Sequence, residues 1–247
     1  MWTSARRTRA AHAPRSRRVG LAIALVACVG LAACTAAESP SPTSTAEADA
    51  VAPFPDSGEL DAGTYLVTGY LVSFEITVPD GWEAREGAGL GKDDPDLPDS
   101  WNASVLFEPA TLVPTDACAW QGALVQIDPT AEAFVDAMTA QTSSVTTPPV
   151  TVVVGDYSGF EFDYAVESDV HFTTCHRGKF CVYSYSAHDC NGRVYAREGE
   201  RATYRVVDLN GERAAIAAGQ SDESIDPALI QEARAIFDSI EFLGPDE

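Results

Sequence analysis

The sequence predicts an α+β fold in which an antiparallel β-sheet is flanked by a few helices. Several short segments alternate apolar and polar residues, as half-buried strands do. Two of them flank Asn210-Gly211, a strong signal for a tight hairpin. Asp-Pro pairs at 128–129 and 226–227 precede amphipathic stretches and are typical helix starts. Many strands with few helices between them favour an antiparallel sheet over a doubly wound parallel one.

The first 33 residues predict a lipoprotein signal peptide. Six arginines and no acidic residue precede an apolar run at 19–31, which is followed by Leu-Ala-Ala-Cys at 31–34. The run is shorter than the roughly 20 residues that a spanning helix needs. The pattern resembles a lipobox, which predicts that Cys34 carries acyl chains such as palmitate and becomes the first mature residue. A plain secretory signal cut near Ala33 is the alternative, and the Arg17-Arg18 pair leaves both the general and the twin-arginine export routes open.

The charge excludes one class of function. The chain has 16 Lys and Arg residues against 37 Asp and Glu residues, a net charge of −21. Removal of the signal takes away six arginines and no acid, which leaves about 10 against 37 and a mature net charge near −27. Such a field repels phosphate backbones, so the sequence predicts no nucleic-acid partner.

Composition divides the remainder into a tether and a domain. Residues 34–58 comprise the acylated cysteine and a flexible, disordered linker rich in Ser, Thr, Pro and Ala. Residues 59–247 form a single globular extracytoplasmic domain, because no second linker or repeat interrupts them.

The first half of this domain is predicted to contain strands at 65–70, 74–78, 82–85 and 103–107. The glycine-rich stretch 87–92 lacks the spacing of a phosphate-binding loop and is interpreted as a flexible loop. The acidic stretch 93–99 is interpreted as a solvated loop, with calcium binding as the alternative hypothesis.

The second half combines helices and strands. Asp128 and Asp226 are predicted N-caps of two helices whose apolar stripes face the core. Strands are predicted at 150–154, 160–166, 180–186, 193–196, 202–209 and 212–218.

Cysteine usage predicts two disulfides. Cys28 leaves with the signal and Cys34 takes lipid, so four cysteines remain in an oxidising compartment. Three pairings exist, and the sequence favours Cys181–Cys190, which bracket one hairpin, together with Cys118–Cys175. A zinc site is the rival hypothesis, because His171, His176 and His188 lie in the same segment. However, no Cys-x-x-Cys pair is present.

No catalytic motif is present. Glu161 and Asp163 are predicted on one strand face, where carboxylates could pair for acid–base chemistry, although a wet strand face has the same pattern. Ser184, Ser186, His188 and Asp189 supply the residue types of a hydrolase triad without a nucleophile-elbow pattern. The aromatic residues Trp82, Trp101 and Trp120 are interpreted as core, with an apolar ligand pocket as the alternative.

Four segments together resemble exported actinobacterial lipoproteins with a PsbP-like domain of the LpqN type. They are Phe-Glu-Ile-Thr-Val-Pro-Asp-Gly-Trp at 74–82, Asp-Ala-Cys-Ala-Trp at 116–120, Val-Asp-Leu-Asn-Gly at 207–211 and the closing helix to Ser239-Ile240. The resemblance implies a PsbP-like α/β/α sandwich and a non-catalytic role in the cell envelope. It supplies no catalytic residues, and Cys181 with Cys190 is an addition to the usual pattern.

The sequence therefore predicts a lipoprotein anchored to the outer face of the cell membrane. Its expected role is that of a non-enzymatic binding or interaction module, with a small apolar ligand or an envelope protein as partner and no cofactor or metal. The alternative is an extracytoplasmic hydrolase acting on an envelope substrate.

Overall fold

A computed structural model describes residues 51–97, 102–107 and 109–244. Numbered along the chain, the strands are β1 Ala52–Pro53, β2 Gly58–Leu60, β3 Gly63–Val67, β4 Phe74–Val78, β5 Trp82–Arg85, β6 Gly89–Lys92, β7 Ala103–Leu106, β8 Leu112–Pro114, β9 Leu124–Gln126, β10 Ser144–Thr146, β11 Val150–Val154, β12 Tyr157–Val166, β13 Phe180–Cys181, β14 Val194–Tyr195, β15 Arg201–Leu209, β16 Glu212–Gln220 and β17 Glu241–Phe242. The helices are α1 Ala131–Ala140 and α2 Pro227–Asp238.

A nine-stranded antiparallel sheet dominates the domain. Its spatial order is β10-β12-β15-β16-β7-β6-β5-β2, and β11 pairs with the same long strand, β12, as β10 does. The centre is the hairpin β15–β16, in which Asn210 and Gly211 both have positive φ, as a tight hairpin turn requires. This hairpin was predicted from the Asn-Gly pair.

Three smaller sheets complete the strand pairing. The first, with the order β1-β3-β4-β17, has four strands, and its β1–β3 pair is parallel. The other two are the pairs β8–β9 and β13–β14. Strands β1 and β2 lie before residue 61, so the end of the segment interpreted as a linker contributes to the sheets. The side chain of Phe54 in this region packs edge-on against Phe107.

The two helices begin differently from one another. The Asp226 side chain accepts a hydrogen bond from the Ala228 N–H at 2.9 Å and Pro227 follows it, as predicted. At the first helix the N-cap is Thr130, whose Oγ1 accepts from the Ala133 N–H at 3.2 Å. The prediction of Asp128 as the cap is therefore wrong by two residues, because a threonine nearer the helix competes for the same role.

The two faces of the main sheet bury separate cores. Adjacent residues of β15 show this directly, since Val206 contributes to the core beneath α1 and Val207 to the core beneath α2. The α2 core also contains apolar residues of β4 to β7, and the α1 core is rich in tyrosines, including Tyr164, Tyr195 and Tyr204.

The predicted α/β/α sandwich, an antiparallel sheet flanked by a few helices, is wrong. Strands make up 41% and helices 15% of the described residues, and the strands form several sheets. Each helix covers only part of one face of the main sheet. The four-stranded sheet shares the α2 core, and the disulfide-bonded loops share the α1 core. The resemblance predicted helical layers, whereas strand and loop segments provide much of the cover.

The glycine-rich stretch 87–92 is partly a strand rather than a flexible loop. Residues Gly89–Lys92 form β6 between β5 and β7, and Leu90 is fully buried. A Cβ at position 89 would lie 2.5 Å from the Val105 carbonyl oxygen, so a glycine is needed for this close approach. Glycine therefore marked a packed strand here, which the loop prediction missed.

Candidate functional site

A groove lies between α2 and the main sheet. We call it the α2 groove; its volume is about 400 Å³, within the size range of small-molecule sites. Its lining side chains come from four parts of the chain: Val145, Thr146 and Thr147; Asp163 and Ala165; Arg201, Thr203, Ala218 and Gln220; and Ile230, Ala233 and Arg234.

Strand register explains why small side chains form the floor of the groove. Asp163 lies opposite Thr203, Thr203 lies opposite Ala218, and Ala165 lies opposite Arg201, so these side chains share one face of the sheet. Alanine and threonine leave room above the sheet where larger residues would meet the helix. The walls are Val145 on the edge strand β10 and Ile230 on α2.

Polar groups are placed at intervals along this apolar floor. The Thr203 hydroxyl donates to Oδ1 of Asp163 at 2.7 Å, and the amide of Gln220 donates to the Asp222 carbonyl at 3.0 Å. Arg201 pairs with the exposed Glu223, and its Nε is buried without a recorded hydrogen-bond partner within the described part of the chain. The groove thus offers hydroxyl, carboxylate and guanidinium groups beside aliphatic surface.

An ionic cluster near the C-terminal end of α2 shares Arg234 with the lining of the groove. Arg205 donates to Oε2 of Glu161 from Nη2 at 2.7 Å and from Nε at 3.0 Å, and also to Oδ1 of Asp238 at 2.8 Å. Arg234 donates to Oε1 of Glu161 at 2.8 Å and to Oδ2 of Asp238 at 3.0 Å. Each arginine therefore bridges the same two acids, one on the sheet and one on the helix.

The cluster changes the titration of one of its acids. Burial raises the pKa of the Asp238 carboxyl, but hydrogen bonds from Arg205 and Arg234 outweigh burial and hold the pKa below its usual value. Asp238 therefore stays ionised at neutral pH and keeps both arginines bound. Glu161 and Asp163, which the sequence suggested as a carboxylate pair, are instead engaged separately, by the two arginines and by Thr203.

Both disulfides are present in the structure. Cys118 is bonded to Cys175 and Cys181 to Cys190, the pairing favoured from the sequence. The first closes a separation of 57 residues, and the second is buried against Trp120. Two disulfides suggest an oxidising, extracytoplasmic environment. The predicted lipidation site, Cys34, lies outside the described residues.

The residues proposed for a hydrolase are brought into one loop but not into a triad. The buried Ser184 hydroxyl donates its single proton within the loop 184–191, where the Asp189 carbonyl lies at 2.8 Å and the Ser186 carbonyl at 3.0 Å, and it accepts from the Ser186 N–H at 3.1 Å. His188 is exposed, and its imidazole has no recorded hydrogen bond to either serine hydroxyl among the described residues. Ser184 therefore organises the loop.

In the described residues, the cysteines and two of the histidines considered as zinc ligands have other contacts. All four cysteines of the domain are in disulfides, His171 lies 3.5 Å from Glu198, and the His176 ring packs edge-on against Trp120. Across residues 51–97, 102–107 and 109–244, no three His, Cys, Asp or Glu side chains converge as metal ligands do.

The acidic loop is not wholly solvated, because one of its acids is buried and has a structural role. The buried Asp94 carboxylate accepts hydrogen bonds from the Asp96 N–H at 2.9 Å and the Asp226 N–H at 3.1 Å. These bonds, that from Asp226 foremost, hold the pKa of Asp94 below its usual value. The loop is thereby tied to the first turn of α2. Asp99, the last acid of the predicted loop, lies outside the described residues.

Two of the three predicted core tryptophans are buried. Trp82 donates from Nε1 to Oε2 of Glu232 at 3.0 Å, which links β5 to α2. Trp120 covers the Cys181–Cys190 disulfide. Trp101 lies outside the described residues. Neither described tryptophan lines the α2 groove, so the apolar pocket is not where the aromatic residues suggested.

Apart from Asp163, the residues that line the groove were not identified from the sequence. Its lining comes from segments up to about 90 residues apart, and most of its side chains are alanine, threonine or valine, which carry no motif. The one available signal was the run of alanines in β16, whose small side chains leave space on a sheet face.

The described residues define a disulfide-bonded, β-rich domain with a ligand-sized groove between a helix and its main sheet. No protein-family model matches the chain, and comparison with curated proteins gives no match. Across the described ranges, neither helix is long and apolar enough to cross a membrane. Function is therefore inferred from the groove, the cysteines and the N-terminal sequence.

Proposed function

We propose that this chain is an exported lipoprotein, anchored through acylated Cys34 to the outer face of the cell membrane, whose domain binds a small apolar ligand in the α2 groove. The observation that carries the binding role is the groove itself. Its volume of about 400 Å³ suits a small molecule, and its floor combines aliphatic surface with a few polar groups.

The N-terminal sequence and the disulfides support the proposed location. The lipobox-like Leu-Ala-Ala-Cys at 31–34 follows a signal-type apolar run, and the domain carries disulfides that suit an oxidising compartment. Kinship with actinobacterial lipoproteins of the LpqN type belongs to the same proposal, on the strength of the shared sequence segments alone.

The organisation of the polar groups favours binding over hydrolysis. The Ser184 hydroxyl is buried within its own loop, and Glu161 is held by two arginines. Because these side chains already bind partners within the protein, they stabilise its local structure. In the groove, by contrast, Gln220, Asp163 and Arg201 lie beside the aliphatic floor, where they could orient a bound ligand.

The anchor is tested in the native host by fractionating the membrane and determining the mass of the N-terminal peptide. We expect Cys34 to carry acyl chains and a Cys34→Ala variant to leave the membrane fraction. An unmodified Cys34, or a variant that stays in the membrane, would refute the anchor.

The groove is tested by native mass spectrometry of the exported protein, purified gently and then titrated with medium-chain fatty alcohols as apolar probes. Ala218→Leu fills the floor, and Ala235→Leu places the same group on the exposed side of α2 as the matched control. We expect Ala218→Leu to weaken binding at least tenfold and Ala235→Leu to leave it unchanged. Equal binding by both variants, or no binding by the unaltered protein, would reject the site.

A further inference from the structure

The strand β11 forms an exposed sheet edge with an unusual composition. Of the large apolar residues that are exposed in the described chain, three lie on this edge and its continuation β10: Val145 at 52%, Val150 at 58% and Val153 at 73%. The whole stretch 143–155 contains no charged residue in a chain of which 21% is charged. This edge is therefore neutral and apolar on a strongly acidic molecule.

The hairpin register shows which backbone groups of β11 face outward. Val154 and Tyr157 close the two-residue turn at Gly155-Asp156, so they form a hydrogen-bonded pair. Hydrogen-bonded pairs alternate along an antiparallel ladder, which makes Val152 with Gly159 the next such pair. The N–H and C=O groups of Thr151 and Val153 consequently point away from β12. Within the described residues, no recorded hydrogen bond uses them.

Three other edge strands, β2, β1 and β17, are protected in ways that β11 is not. At the opposite end of the main sheet, β2 has three residues and carries the exposed Glu59. In the four-stranded sheet, β1 is two residues long and contains Pro53, and β17 is two residues long and carries Glu241. Short length, charge and proline are the usual protections against edge pairing. In the edge formed by β10 and β11, prolines stand only at 148 and 149, before β11 begins.

Residues 150–154 are self-complementary about Val152. Two copies that run antiparallel with Val152 opposite Val152 would pair each Thr151 with the other copy's Val153, and both residues have their backbone groups free to bond. Val150 would then lie beside the other copy's Val154, so valines meet valines. The strand residues 150–154 carry no acid that would attract a basic partner, whereas a second copy offers an identical uncharged strand.

We propose that β11 is a homodimer interface, in which two copies of this chain join their main sheets by antiparallel β11–β11 pairing about a two-fold axis at Val152. The pairing satisfies the outward groups of Thr151 and Val153 in both copies and covers the exposed Val150 and Val153. Because residues 150–154 are uncharged, the pairing places no like charges directly opposite one another.

Geometry gives a direct test. Val152 would form a non-hydrogen-bonded pair with its symmetry mate, with Cα atoms about 4.5 Å apart, and disulfides span about 4.4–6.8 Å. In the full exported chain, Val152→Cys should therefore give a covalent dimer on mild oxidation. Val125→Cys, on the exposed strand β9, is the matched control and should stay monomeric. Equal cross-linking of the two variants would overturn the proposal.

A second measurement tests the contact without added cysteines. We expect the unaltered chain to sediment as a dimer at tens of micromolar, and Val153→Lys to raise the dimer dissociation constant at least tenfold, since lysine protects an edge. Val125→Lys is the control and should not change it. A monomer at all concentrations, or the same dissociation constant in both lysine variants, would refute the interface. A thermal midpoint within about 2 °C of the parent establishes that Val153→Lys is folded.

Discussion

The guanidinium carbon of Arg205 lies 4.2 Å from the ring centroid of Phe237, and Nη1 of the same arginine donates to the Phe237 carbonyl at 3.1 Å. The Arg205 side chain on β15 thus contacts three groups in the last turn of α2, namely the Phe237 ring, the Phe237 carbonyl and the Asp238 carboxylate. A cation at this helix end also complements the helix dipole. Arg205 therefore holds the helix that forms one wall of the α2 groove.

Replacement of Arg205 by alanine should cost about 1.5–3 kcal/mol of unfolding free energy, because it removes charge-assisted hydrogen bonds from the mostly buried Glu161, which keeps Arg234 as its second partner. The matched control is Arg177→Ala, which breaks an exposed ion pair with Asp189 and should cost less than about 1 kcal/mol. Urea denaturation measures both values. Similar losses in the two variants would contradict the role assigned to Arg205.

The two disulfides should contribute unequally to stability. Loop-closure entropy predicts about 4 kcal/mol for Cys118–Cys175, which spans 57 residues, and about 2.5 kcal/mol for Cys181–Cys190, which spans 9. Paired Cys→Ala variants of each bond, compared by urea denaturation, check this order. If loss of Cys181–Cys190 lowers the free energy of unfolding more, packing of that disulfide against Trp120 contributes more than the loop-closure entropy of the unfolded chain.

Acid should destabilise the domain partly through Asp116. Burial raises the pKa of its carboxyl, but hydrogen bonds from the Ala119 N–H, the Ser143 hydroxyl and the Cys118 N–H outweigh burial and lower the pKa below its ordinary value of 3.8. A carboxyl with a lowered folded pKa stabilises the protein above its unfolded pKa, and this stability is lost as the pH falls through the folded value.

The unfolding free energy, measured in urea from about pH 6 to about pH 2, should therefore fall less steeply for Asp116→Asn than for the parent. Asp61→Asn, at an exposed position, controls for removal of a surface carboxylate. Parallel curves for Asp116→Asn and the parent would show that Asp116 has no part in the acid response.

Gly159→Ala should destabilise the sheet that carries the groove. A Cβ at this position would lie 2.1 Å from the Val206 carbonyl oxygen, so β12 and β15 would have to separate. We expect a loss of about 1–3 kcal/mol, as for other overpacked sites. Gly63→Ala, where the nearest atom is 3.9 Å away, should change stability by less than about 0.5 kcal/mol. Thermal unfolding of both variants tests this prediction, and equal unfolding midpoints would contradict the close contact between Gly159 and Val206.

Local sequence signals anticipated the elements that depend on neighbours in the chain. Asp226-Pro227 predicted the start of α2, Asn210-Gly211 the central hairpin, and the alternation at 74–78 the strand β4. Capping, turn geometry and side-chain alternation are satisfied within a few residues, so a short window contains the necessary information.

Prediction failed where a distant segment decided the outcome. Gly89 lies in a buried strand because Val105 approaches its backbone, and Ser184 is a loop organiser because the chain returns to it at 189 and 191. The helix-flanked sandwich was wrong for the same reason, since the segments that share the cover of the main sheet are identified only by their contacts.

The sequence alone determined the acidic charge, the number of cysteines left for disulfides, the signal-like N-terminus and the positions of the best-capped helix and the tightest hairpin. Only the tertiary structure decided the α2 groove, the bridging of Glu161 by two arginines and the outward-facing edge of β11. The physical reason is the distance along the chain between the residues that decide each property. Composition and capping are properties of single residues or short segments, whereas a groove, a buried ion cluster and a free sheet edge arise from which distant strands lie side by side.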